Sequence, residues 1–507
     1  MQAVVAQPHL AQALRAFTGL KLWKLEASHG DPAIIVETNG SLILKGTDLA
    51  LFLAYQVEAT GEHASGQESV AVPYTTLKEL ARRLPKKVPV TVQVSDQKCV
   101  VQSGDLEVTL PGKPAADFVS FPDLTAETSA ACWVDPAVLR EAILDVVFAA
   151  SSDKVRPAMT AVFTRLRGET MTLVGADGFR LAQRVIPVQD GTTAAAEILI
   201  PAPALKKLAA LLAKASEPVR LGLHQAEQAV PQERSVYNPA TQKYEPAAPV
   251  VYNDGFDRVT FQCGPLTLAT DLVEARYPDY EAIIPLRYRT RLVVPRAEFL
   301  ARLELLAPLI KDRNDILVLS LAPEGLLVRD NSGTHSFSVD VREGQSTLTG
   351  FFLARSGELE GEPEYEPSPE LLGTAAEIMG ALPWPCPAEL CQGLAQHGPV
   401  LSTEQARAIL DLLAEAGVVD TPGVAGYPLR ITDPEKARAR VEQWLHGRRA
   451  CAFNIHYLTD LVKAMDSEAV AIDIQDFERP GVFWPCAGTG SGRRPDEHLY
   501  VVMPMQL

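Results

Sequence analysis

Glu169-TMTLVGADGFR, ending at Arg180, is the stretch on which the fold turns. Its apolar residues alternate at strand period and run into an Asp-containing turn. Two other stretches read the same way, Gly40-SLILKGTDLA and Glu324-GLLVRDNSGT. Each is preceded by a segment with helical apolar spacing: His9-LAQALRAF, Asp135-PAVLREAILDVVFAAS and Pro295-RAEFLARLELLAPLI. Proline at or near the first helical position of the last two suits a helix start. A second helix follows in each case, Tyr74-TTLKELARRL, Ala202-PALKKLAALLAKA and Asn454-IHYLTDLVKAM. Three matches in one order mark an internal repeat, and the wider helix spacing in the third implies roughly 90 inserted residues. The expectation is an α+β fold of three repeated units, 1–128, 129–290 and 291–507, the third interrupted over 357–447. A sheet with two helices on one face suits a ring whose sheets join edge to edge and whose helices face inward.

The length of 507 residues agrees with about three domains. Apolar content of 47% and charged content of 22% are those of a globular chain with sizeable cores. No uninterrupted apolar run reaches the length of a membrane span, and the N-terminus has no basic region leading into an apolar core. A cytoplasmic protein is expected, with no membrane partner. Cys99, Cys132, Cys263, Cys451 and Cys486 lie in apolar surroundings and read as small core residues. Cys386, Cys391 and His397 are close enough to raise zinc, but no second pair follows at ligand spacing, so no metal or cofactor is expected.

The net charge of −16 excludes a protein that simply coats nucleic acid. It leaves room for one that gathers its cations on a single surface. The candidate inner helices carry Lys78, Arg82, Arg83, Lys206, Lys207, Lys214 and Lys463, with Lys21 and Lys24 just after the first helix. Alone, these read as solvated helix faces. Within the repeat they read as an inward lining that meets phosphates without reading bases. At the other extreme of polarity, Tyr500-VVMPMQL carries an apolar strand and two methionines straight to the last residue. Termini fray unless tied down, so this one should be docked, its methionines lining an adaptable surface for a peptide. No catalytic set appears: nine histidines are scattered, and Gly488-TGSG has no following helix and reads as a loop.

Laid out in this way, the chain resembles the bacterial DNA polymerase III β-subunit family, the DNA sliding clamps. The motifs that carry the resemblance are Gly46-TDL, Pro114-AADFVSFPDL, Val155-RPAMTAV, Gly175-ADGFRLA, Leu272-VEARYPDYEAIIP, Phe453-NIHYLTDLVKAM and Tyr500-VVMPMQL. The resemblance implies a non-enzymatic processivity factor, a head-to-tail homodimeric ring around duplex DNA that tethers polymerases and the clamp loader by their peptides. It implies a cleft built from Met159, Ala176, Gly178, Phe179, Arg180 and Leu181, with Pro278 and Ile283 leading into the third unit. Pro480, Val501, Val502, Met503, Pro504, Met505 and Leu507 would complete it, and Arg180 would supply its one fixed charge. The DNA-facing residues would be Lys21, Lys24, Lys78, Arg82, Arg83, Lys206, Lys207 and Lys463. A dimer seam would join Val108 and Leu110 of the first unit to Leu309 and Ile310 of the third.

Three features depart from the family pattern. Phe179 and Gln506 stand where a histidine and an arginine are frequent, which makes the cleft more apolar. Residues 225–253 are polar and proline-rich and read as an extended loop. The insertion opens on the acidic linker Gly357-ELEGEPEYEP, then offers helical segments at Ser368, Pro387 and Ser402, a strand–turn–strand stretch from Val418 and a closing helix from Asp433. That order is similar to a winged helix, and its few cations favour a protein-binding or spacer role over DNA contact. The alternative reading is a clamp paralogue or regulator brought to particular DNA sites by this insertion.

Overall fold

The computed structural model describes the chain apart from residues 1, 26–30, 40, 60–67, 96, 118–120, 123–127, 129, 190–194, 226–231, 239–242, 251, 311–314, 323–324, 347–351, 354–366, 381–389, 391–393, 395–400, 420–430, 432, 449, 476–477, 488–496 and 506–507. The described residues include helices α1 (Gln7–Ala16), α2 (Tyr74–Arg83), α3 (Pro136–Val147), α4 (Ala202–Leu211) and α5 (Arg296–Ile310). They continue with α6 (Pro369–Gly380), α7 (Thr403–Glu415), α8 (Pro434–Arg448) and α9 (Ile455–Ala464). The six helices of the repeat are α1 to α5 and α9. Local chemistry sets their starts. Asp135 Oδ1 accepts the N–H groups of Ala137 and Val138 ahead of α3, and Asn454 Oδ1 accepts those of His456 and Tyr457 ahead of α9. Each such cap contributes about 1 kcal/mol.

The chain gathers into two compact units, Met1–Gly175 with Arg184–Tyr277, and Ala176–Gln183 with Pro278–Leu507. The first two repeats share a unit because their sheets are one sheet. Leu51–Val57 pairs antiparallel with Leu266–Asp271, setting Leu53 opposite Leu268. That sheet runs from Lys113–Pro114 through Glu68–Pro73, Asp31–Thr38, Leu42–Thr47 and Leu51–Val57, then through Leu266–Asp271, Phe256–Cys263 and Val219–Gln225 to Ala130–Val134. Helix α1 packs on α2 and α3 on α4. Gly175 lets its strand approach α3: a Cβ there would collide with the Val146 carbonyl oxygen. Buried thiols behave as the sequence suggests, with burial pushing Cys99 up to about 12 and Cys132 up to about 11.

Where composition predicts a loop over 225–253, the chain pairs Gln232–Asn238 with Lys243–Val250 as a two-stranded hairpin. The prolines mislead, because a two-stranded ribbon has only edge strands, where a missing N–H is tolerated.

In the second unit, one sheet orders Ser336–Val339, Gly325–Asp330, Ile316–Ala322 and Ala450–Asn454. Another passes from Glu343–Ser346 through Thr290–Pro295, Ala469–Ile474 and Gly481–Cys486 to His498–Val502, with the start of strand Arg180–Pro187 beside it. Helix α5 packs on α9, and Arg296 donates to the carbonyls of Val462 and Lys463. Arg291 and Asp473 form a buried bidentate pair at 2.6 and 2.7 Å, with the guanidinium 4.1 Å from the Tyr288 ring centroid. Removing either partner alone would strand a buried charge.

The insertion has its own core, including Leu372, Met379, Ile409, Leu413 and Val441. Its first and last helices, α6 and α8, pack together, and Arg438 pairs with Glu377 at 2.9 Å. Ser402 and Gln405 cap α7 reciprocally, as the sequence suggests. Of the Pro387 segment only Leu390 and Leu394 are described, both helical and buried. The acidic linker as far as Glu366, most of the strand–turn–strand stretch, and Cys386, Cys391 and His397 lie outside the described residues.

Candidate peptide-docking site

The C-terminal segment is docked. His498–Val502 is buried throughout and pairs with Gly481–Cys486, Phe483 opposite Tyr500. Beyond it two backbone bonds hold the chain. Met503 N–H donates to the Phe179 carbonyl at 2.8 Å, and Met505 N–H donates to the Ala452 carbonyl at 2.8 Å. Pro504 between them has no N–H to satisfy. Met503, Pro504 and Met505 are half-buried, and Met505 packs against Ile316, Val318, Ala450 and Ala452. Gln506 and Leu507 lie outside the described residues.

The turn that receives Met503 is built by Asp177. Its Oδ1 accepts the N–H groups of Phe179 and Arg180 at 2.9 and 3.0 Å, while Gly178 takes φ +95°, a conformation that favours glycine. This leaves Phe179 57% exposed, its ring stacked on Tyr457 with centroids 6.4 Å apart and planes 24° off parallel. Arg180 is not a free charge. Its Nε donates to Asp177 Oδ2 at 3.0 Å and its Nη1 to Asp460 Oδ2 at 2.7 Å, and its guanidinium lies 4.6 Å from the Tyr457 ring centroid. Burial raises the Tyr457 hydroxyl pKa first, the Asp177 charge raises it further, and Arg180 opposes both.

Tyr457, Asp460 and Asp177 are the site residues that sequence reasoning did not select. The first two sit three apart on α9, within a quoted motif, so both fall on one helix face. Of the selected residues, Phe179, Arg180 and Met503 come together. Ala176, Leu181, Val501 and Val502 are buried and shape the backbone beneath. Ile283 is 42% exposed in the short turn Glu281–Ile283, Pro278 is exposed and Pro480 half-buried, all three in the same unit. Met159 belongs to the other unit, half-buried in the turn Pro157–Thr160, where its carbonyl accepts Ser151 N–H.

The expected DNA-facing cations fall into two groups. Lys21, Lys24 and Lys206 are exposed and in no ion pair among the described residues. The others are engaged. Lys207 Nζ donates to the carbonyls of Ala16 and Thr18 at 2.6 and 2.8 Å, closing the C-terminal end of α1, and burial lowers its pKa. Lys78 bonds Thr18, Arg82 and Arg83 pair with Glu79, and Lys463 pairs with Glu304.

The residues of the expected seam also divide. Leu106–Pro111 is the edge of a four-stranded sheet, with Leu106 46% exposed, Val108 half-buried and Leu110 in the core. On α5, Leu305 and Leu309 are 62% and 52% exposed while Ile310 is fully buried. Leu110 and Ile310 are thus held within their own units, and Leu106 and Leu305 are exposed positions the sequence reading did not name.

Comparison with known proteins gives this arrangement its class. The family model for the N-terminal domain of the DNA polymerase III beta subunit matches residues 33–122, and the model for its central domain matches residues 133–279. Those two stretches, residues 33–122 and 133–279, match that family. The beta sliding clamp of Synechococcus elongatus is 25% identical over 290 residues, 56% of this chain and 67% of the relative. That of Escherichia coli is 22% identical over 285 residues, 56% of this chain and 68% of the relative. Among solved structures, the DNA polymerase III subunit beta of Pseudomonas aeruginosa matches over the whole of both chains with a TM-score of 0.66 at 18% identity. That of Thermotoga maritima matches with a TM-score of 0.62 at 17% identity, over all of this chain and 99% of the other.

Proposed function

We propose that this chain is a DNA sliding clamp, which closes with a second copy around duplex DNA and holds polymerases and the clamp loader by peptides docked beside Met503. It works by topology and tethering, with no chemical step of its own. The observation that carries the reading is the pinned C-terminal tail. Two backbone bonds fix Met503 and Met505 against separate elements, and Phe179 stays open to solvent beside them. A surface of half-buried methionines and an exposed ring suits the apolar anchors of a short peptide. Ring closure is supported by the open edge at Leu106–Pro111 and by Leu305 and Leu309 on α5, since a ring removes exposed edges. Exposed Lys21, Lys24 and Lys206 suit salt-sensitive phosphate contact without base preference.

Light scattering after size exclusion should give a dimer of twice 54.9 kDa. Loaded onto nicked circular DNA, the protein should be retained and then lost when the DNA is linearised. A stable monomer with no retention would refute the ring.

A further inference from the structure

The docking site carries a charge balance that its sequence conceals. Asp177 and Asp460 both bond the single guanidinium of Arg180, which leaves one negative charge in surplus. Asp177 and Arg180 are largely covered, each 13% exposed at the side chain, whereas Asp460 is 47% exposed. The surplus therefore faces solvent at Asp460. His456, one turn before Asp460 on α9, lies 3.4 Å from another carboxylate, Asp315, and Lys463 one turn beyond is paired with Glu304. The aromatic step lies against the same pair: the Arg180 guanidinium and the Phe179 ring both stack on Tyr457, and Phe179 remains 57% exposed. Its ring offers a negative π face.

We propose that Phe179 and Asp460 form a subsite that accepts a cationic side chain, arginine best, from the docked peptide and disfavours an acidic one. The incoming guanidinium would lie against the Phe179 ring and pair with the exposed carboxylate of Asp460. Arginine suits this better than lysine because its planar group stacks and hydrogen-bonds at once. The inference rests on the reading of the Met503 and Phe179 surface as a peptide site. It assigns that site a charge preference opposite to the one implied by taking Arg180 as a free cation.

The test uses the full chain and fluorescein-labelled heptapeptides with constant Leu and Phe anchors, with Arg or Glu walked through the flanking positions. Fluorescence anisotropy should show the Arg peptide binding roughly five- to tenfold tighter than its Glu counterpart at one position, the sum of an exposed ion pair and a cation–π contact. Asp460→Asn should bring the ratio below about twofold, and raising the salt should shrink it in the unmodified protein, a readout that needs no variant. Phe179→Leu should weaken the Arg peptide more than the Glu peptide. Equal binding of both peptides at every position, or a preference untouched by Asp460→Asn in a folded dimer, overturns the inference alone. Failure of every peptide to bind above a scrambled control overturns the docking reading and this inference together.

Discussion

The turns at Asp48 and Asp177 occupy the same place in the first and second repeats and use one backbone device. Asp48 Oδ1 accepts the N–H groups of Ala50 and Leu51, and Asp177 Oδ1 accepts those of Phe179 and Arg180. The residue after each aspartate has positive φ: Leu49 at +80° and Gly178 at +95°. Two residues after each aspartate, a carbonyl accepts a bond from a distant segment. For Ala50 the donor is the Thr270 side chain at 3.0 Å, and for Phe179 it is the Met503 backbone at 2.8 Å. The difference is one of purpose. The first turn is closed by a buried hydroxyl and serves sheet continuity. The second is closed by the chain's own end and leaves a ring exposed. One local design can thus seal a joint or present a surface, depending on what reaches its carbonyl.

The comparison breaks most visibly at the chain end. Deleting Met503–Leu507 should lower peptide affinity at least tenfold in a calorimetric titration, by removing both methionines and uncovering the Phe179 carbonyl, with the dimer mass unchanged. Gly178→Val should come next. A branched residue at positive φ costs about 1–2 kcal/mol, so Tm should fall and peptide binding weaken together. Thr270→Val should destabilise the first unit by about 1–2 kcal/mol in denaturant melts, because the Ala50 carbonyl loses its donor. It should leave peptide affinity unchanged, which separates the two turns. The smallest effect runs the other way. Leu49→Gly relieves a strained conformation at a position 45% exposed, so stability should rise by up to about 1 kcal/mol.

The repeat and its helices were legible because caps, prolines and apolar spacing are local. Asp135, Ser402 and Asn454 announce helix starts that the backbone then uses. The Arg180–Asp460 pair was not legible, since 280 residues separate its members and only the folded unit joins them. The open and closed ends of the edge strand were also hidden. Leu106, Val108 and Leu110 share one face by alternation, yet exposure falls from 46% at Leu106 to 4% at Leu110, because neighbouring elements cover only one end. Lys207 shows the same limit for charge. Its helical position suggested an outward cation, and only the approach of α1 reveals two carbonyls waiting for it.

The packing of α6 on α8 has a consequence for how the third repeat closes. Strand Ala450–Asn454 must find Ile316–Ala322 across the whole insertion. Were residues 357–447 free coil, chain-closure scaling alone would oppose that pairing by about 4 kcal/mol. With its first and last helices packed together, the insertion is in good part folded and not free coil. Residues already ordered in its core add no chain freedom for that pairing to overcome, so a long detour in sequence becomes a smaller one in entropy.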